Sequence, residues 1–229
     1  MREILGERRR KNGKDDGKGG DPARAARGAA LTFARRWRWP VLPGAELRAD
    51  GRCGCLRADC AVPGAHPQDP GLLAATTDVR MVSWWWTERP RAPIVMATGG
   101  RAPCALSLPA AVGASALAQL DRAGVRAGPV VAAPTRWLLL VRPYELPELG
   151  ELLYVRDRVP SSLRFHGVGG YVPLPPSRTG AGTVGWAREP EAERRGGRRT
   201  VALPRAADLL DVLVDAGLSA PDQGSRLSY

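Results

Sequence analysis

The chain is poor in the residues that most catalytic chemistry draws on. Of its 229 residues only two are histidine, four are cysteine and two are phenylalanine. Between Arg89 and Arg188 the only carboxylates are Asp121, Glu145, Glu148, Glu151 and Asp157. All five fall in or beside predicted surface helices, and none pairs on a strand. A magnesium or manganese site needs converging carboxylates, so neither ion is expected. Long apolar runs are missing too: none approaches the roughly 20 residues that cross a bilayer, and no membrane partner is expected. The opening MREILGERRRKNGKDDGKGG has no apolar stretch like a secretory h-region, which predicts a cytoplasmic protein.

Scarce as they are, three of the four cysteines and one of the two histidines sit in one stretch, GRCGCLRADCAVPGAHP, as Cys53, Cys55, Cys60 and His66. Zinc favours thiolate and imidazole in a closed tetrahedron, and Gly51, Gly54, Pro63 and Gly64 supply the turns that fold four side chains onto one ion. A Cys3His set fills every position with protein atoms, so the expected Zn2+ is structural; a catalytic zinc keeps one position for water. The competing reading is a disulfide with one thiol left over, which an export-free, reducing setting disfavours. Cys104, outside the loop, reads as a small buried residue beside a strand, with a nucleophile as the alternative. His166, near Ser161 and Ser162, reads as a strand histidine, since closeness in sequence makes no triad.

The net charge of +11 favours polyanionic partners, DNA or RNA above all, through phosphate neutralisation. The same excess is expected of an Arg- and Ala-rich composition with a solvated surface. Residues 1–22 are polar and Gly-rich and predict a disordered basic arm. One domain is expected over 23–186, containing the zinc loop 51–67, with 187–229 as charged linker, short helix and tail. A helix opening at Pro22 leads to the strand WPVLPG, and Asp78 caps a helix carrying Val79, Val82, Trp85 and Trp86 and ended by Pro90. IVMATGG and CALSLP read as strands, AAVGASALAQLDRAG as a helix, PVVAAPTRWLLLV as a hairpin and PELGELLYVRD as a helix. SLRFHGVGGYVPLPPS reads as a further pair of strands, and TVGWA as the last. Mixed helices and hairpins make this an α+β fold. Trp84, Trp137 and Trp186 are expected mostly in the core and are base-stacking candidates wherever they lie exposed.

In this order, ALTFARRWRWPVLPG, the zinc loop ending in GAHP, ATTD before a tryptophan helix, IVMATGG and GGYVPLPPS resemble the bifunctional DNA primase/polymerase (Prim-Pol) family. The resemblance implies a primase/polymerase-like (archaeo-eukaryotic primase) fold with an RRM-like antiparallel sheet. It also implies nucleotidyl transfer by metal ions held on a strand-borne Asp-x-Asp, a later His and a further Asp. This chain departs from that pattern. Ser107 and Pro109 stand at the paired acids, PTRWLLL holds no histidine, Arg164 replaces the third acid, and His166 falls where the family commonly has arginine.

The chain therefore reads as a catalytically inactive member kept for nucleic-acid or nucleotide binding, with Gly99, Gly100, Arg101, Arg136, Arg164, His166, Gly169 and Gly170 as candidate contacts. For those glycines, tight hairpins are the plainer use. A replication or repair protein is a possible partner. Two alternatives stand beside this: an active nucleotidyltransferase with relocated ligands or a partner subunit, and a zinc-stabilised protein-interaction scaffold.

Overall fold

The computed structural model describes residues 21–55, 57–195 and 198–220. The arm expected over 1–22 lies almost wholly outside these residues, as does the tail after 220. Helix α1 (Pro22–Thr32) begins where the Asp21 carboxylate accepts the Ala23 N–H, with Pro22 in the first turn. A π-helical turn, Phe33–Trp37, ends at Arg38 in the left-handed conformation, φ 58°. The reversal brings Trp39 back onto Phe33, the two rings stacked with centroids 5.8 Å apart.

Strands β1 (Val41–Pro43), β2 (Ile94–Ala97) and β7 (Tyr171–Leu174) form an antiparallel sheet in the order β1-β2-β7. Helix α2 (Val79–Glu88) is capped by Asp78, as its sequence predicts. Of its three adjacent tryptophans, Trp85 and Trp86 are buried and Trp84 is 56% exposed, because a helix packed on one side can bury only part of its circumference. Trp86 also donates its indole N–H to the Ala92 carbonyl.

The second sheet is built from β3 (Cys104–Pro109), β4 (Val130–Ala132), β5 (Arg136–Val141), β6 (Arg164–His166), β8 (Ser177–Thr179) and β9 (Gly182–Arg188). Its order is β6-β3-β5-β4-β9-β8, antiparallel throughout. Between the strands run α3 (Ala110–Arg122), which follows β3, and α4 (Leu146–Tyr154), which follows β5. Strand alternation divides the sheet's two faces. Cys104, Leu106, Leu108, Leu139 and Val141 enter a core with α3 and α5 (Ala206–Ser219), while Ala105, Leu138 and Leu140 enter a second core with α1, α2 and the three-stranded sheet. Ser107 lies on this second face.

The two strands expected on either side of Gly167–Gly170 form as β6 and β7; β6 joins β3 and β7 joins β2, so the glycine loop crosses from one sheet to the other. One segment differs from its sequence reading. The charged run after Trp186 is not a plain linker. It continues β9 and then folds as a hairpin of β10 (Ala192–Arg195) and β11 (Arg198–Val201). Charge does not prevent pairing here, since Arg194 and Arg199 are exposed while Val201 at the end of the ribbon is buried in the core. Helix α5 then buries Leu209, Leu210 and Leu213 completely against the large sheet.

Candidate functional site

The loop that carries Cys53, Cys55, Cys60 and His66 is tied down by its own backbone. Ala45 N–H donates to the His66 carbonyl at 2.9 Å and Gly54 N–H to the Glu46 carbonyl at 2.7 Å, which closes the loop at both ends. Gly51 and Gly64 take positive φ, at 80° and 78°, where a side chain would be strained. Gly180 N–H donates to the Pro63 carbonyl at 2.8 Å, docking the loop on the turn between β8 and β9.

Within this frame the Sγ atoms of Cys53, Cys55 and Cys60 and one ring nitrogen of His66 all lie within 4.8 Å of one another. His66 Nε2 is 3.3 Å from both Cys53 Sγ and Cys60 Sγ. An S···N edge of about 3.5 Å is what tetrahedral zinc distances require. His66 Nδ1 donates to the Pro67 carbonyl at 2.9 Å, which fixes the tautomer and leaves the Nε2 lone pair for the ion. Without metal, burial raises the Cys53 thiol, but the backbone N–H groups of Cys55 and Gly64 and the His66 ring outweigh it and hold the pKa at about 6. Burial and the neighbouring thiols push Cys60 up to about 11. The donor set fits zinc, and a bound ion would hold all three sulfurs as thiolates.

The second constellation lies on the β3–β5–β6 face. Ser107 is in register with Arg164 on β6 and Leu138 on β5, and Pro109 with Arg136. Alternation therefore puts Ser107, Arg136, Arg164 and His166 on one side of the sheet. Arg136 donates from Nε to Ser107 Oγ at 3.1 Å, and from Nη2 to the Ser107 carbonyl at 2.7 Å and the Ser162 carbonyl at 2.6 Å. Ser107 Oγ lies 2.9 Å from His166 Nε2. Burial first, then the Arg136 and Arg164 charges, lower the His166 pKa to about 4 against a weaker opposing hydrogen bond to the Tyr171 backbone. A neutral ring has a nitrogen lone pair to offer, and with Arg136 Nε already donating to Ser107 Oγ the serine hydroxyl can donate to His166 Nε2.

Burial, and secondarily Arg164, lower the Arg136 pKa to about 10. Ser107 is fully buried, so this serine–imidazole pair is no exposed nucleophile. A hydroxyl, an imidazole and two guanidiniums make a poor donor set for a hard divalent ion, which takes oxygen ligands and carboxylates first. Among the described residues the only cluster of metal-ligating groups is the Cys3His loop.

His166 lies on a strand, as its sequence reading expects, and the hydroxyl it meets is neither Ser161 nor Ser162 but that of Ser107, 59 residues away. The one sequence signal for that contact was the odd-numbered face of CALSLP opposite RFH. The glycine candidates form a neighbouring loop pair, since Thr98 Oγ1 donates to the Gly167 carbonyl at 2.6 Å. A Cβ on Gly99 would stand 2.6 Å from Val168 Cα, and one on Gly170 2.8 Å from Thr98 Oγ1, so close packing alone requires glycine at both. Gly100 and Gly169 take positive φ, at 64° and 78°, facing open space. Arg101 is exposed on the turn after β2 and is not brought into the Arg136 cluster. Cys104 is buried, with its thiol pKa raised by burial, as a packing residue should be. Tyr144 on the same side has a buried hydroxyl without a partner.

An α+β protein with antiparallel sheets and a Cys3His loop is thus defined by fold and site together. The sequence profile described as "Bifunctional DNA primase/polymerase, N-terminal" matches residues 30–206, and the chain belongs to that Prim-Pol family. No curated protein and no solved structure matches it.

Proposed function

We propose that this is a catalytically inactive Prim-Pol domain, kept for binding nucleic acid or nucleotide in a process such as replication or repair. The observation that carries the reading is the β3–β5–β6 face, where Ser107, Arg136, Arg164 and His166 converge with no carboxylate among them. The run β3-α3-β4-β5-α4-β6 with spatial order β6-β3-β5-β4 is the split βαβ arrangement of RRM-like sheets, which supports the primase/polymerase-like fold assigned to this chain. In such a site, two cations held by acids would activate a 3′-hydroxyl and neutralise the leaving pyrophosphate. Positions 107, 109 and 164 carry no acid with which to do so.

Binding is supported by the net charge of +11, by the exposed Arg101 and Arg164, and by Trp84, a stacking surface for a base. The Cys3His loop is read as a structural zinc site. Asp121 pairs with Arg188 at 2.7 Å and is committed elsewhere, which disfavours relocated catalytic ligands.

The test is binding of single- and double-stranded DNA and RNA by zinc-loaded protein across a salt series, with primer extension in magnesium or manganese followed in the same samples. Salt-sensitive binding without extension is expected. Primer extension lost on substituting Ser107 would overturn the inactive reading, and no binding at low salt would leave a zinc-stabilised scaffold.

A further inference from the structure

The β3–β5–β6 face carries positive charge that no carboxylate among the described residues pairs with. Among the described residues, the arginines paired with acids are Arg52, Arg89, Arg156 and Arg188; Arg136 and Arg164 pair with none. The charge acting on Arg136 is that of Arg164, and the charges acting on His166 are those two arginines. Arg136 spends Nε and Nη2 on Ser107 and Ser162, which leaves Nη1 uncommitted among the described contacts. Arg164 is exposed on β6, on the same face and with β3 between it and Arg136.

Holding two like charges together on a rigid sheet is unfavourable unless an anion joins them, and a half-buried guanidinium gains most from such a partner. The neutral neighbours are suited to the same end. Ser107 and two main-chain carbonyls orient the Arg136 fork without cancelling its charge.

Resting on the binding role given above, we propose that Arg136 and Arg164 bind a phosphate monoester directly, with no divalent ion between protein and ligand. Guanidinium forks match phosphate oxygens in pairs. A monoester approaches two negative charges at neutral pH, because its second proton leaves near pH ~6. It therefore balances both arginines, whereas an internal phosphodiester balances one. The monoester is supplied either by a free nucleoside 5′-monophosphate or by a phosphorylated strand end.

The experiment is fluorescence anisotropy of zinc-loaded full-length protein with one single-stranded oligonucleotide carrying either a 5′-phosphate or a 5′-hydroxyl. The buffer is free of magnesium and of chelator, so the zinc stays bound. A preference of about tenfold for the phosphorylated strand is expected. It should vanish in Arg164→Gln, return in part in Arg164→Lys, and not grow when magnesium is added. Competition by a nucleoside 5′-monophosphate would support the site with the free nucleotide as its source, and resistance to it, with the preference intact, would support the strand end. Equal affinity for the two oligonucleotides, or a preference that requires magnesium, would overturn the phosphate site while leaving the binding role standing. Failure of both strands to bind at low salt would overturn the binding role itself.

Discussion

His166 should remain neutral down to about pH 4, against 6.5 for a free imidazole, because its burial and the Arg136 and Arg164 charges all oppose protonation. In the unfolded chain the same ring takes up its proton near 6.5. Between those two values the unfolded state binds a proton that the folded state does not. The ring's contribution is therefore complete above pH 6.5 and declines as the pH falls toward 4, below which it changes no further. The full difference corresponds to about 3 kcal/mol.

Replacing His166 with Gln keeps an acceptor for the Ser107 hydroxyl and removes the titration. Urea unfolding at a series of pH values should show the parent losing up to about 3 kcal/mol more than His166→Gln between pH ~7 and ~4. Taking the difference cancels acid release of zinc, which both proteins share. Ring nitrogen shifts in NMR read the same event directly, and Arg164→Gln should move the midpoint upward by removing one opposing charge. A His166 ring that titrates near 6.5, or parallel stability curves for parent and variant, would refute the reasoning.

Cys53→Ser should abolish stoichiometric zinc binding and open the loop between Ala45 and Pro67 to protease, measured by metal analysis and limited proteolysis. Arg136→Met should cost about 2–4 kcal/mol in urea unfolding, since it removes the donor from the Ser107 and Ser162 carbonyls and leaves the Ser107 hydroxyl only its bond to His166. Ser177→Ala should cost about 1–2 kcal/mol by the same measurement, because its buried hydroxyl accepts Ile94 N–H at 2.7 Å and donates to the Leu174 carbonyl at 2.6 Å. Gly113→Ala should cost about 1–3 kcal/mol in thermal or urea melts, since the new Cβ would meet Trp137 Cβ at 2.6 Å.

The Cys3His cluster was legible in the sequence because its four donors are close along the chain and its turns are built by glycine and proline, whose effects are local. Helix starts at Pro22 and Asp78 were legible for the same reason. The Ser107–His166–Arg136 network was not, since it depends on strand register: 59 residues separate Ser107 from His166, and 29 separate it from Arg136. Alternation told which face each residue would take, but only the order β6-β3-β5 brought those faces together. The β10–β11 hairpin was missed because its charged residues carry no apolar alternation to mark a strand. The apolar pattern around Leu209, Leu210 and Leu213 predicted a helix without saying which sheet it would cover.

Arg136 carries a cation into the sheet on a covalent tether, braced to Ser107 on one side and Ser162 on the other. An ion held by ligands comes and goes with its supply in solution, and a chelator removes it. A guanidinium bonded to the backbone has no dissociation constant. The charge at this point of the fold is thus set by the gene and by pH alone, the same in every molecule and at every metal concentration.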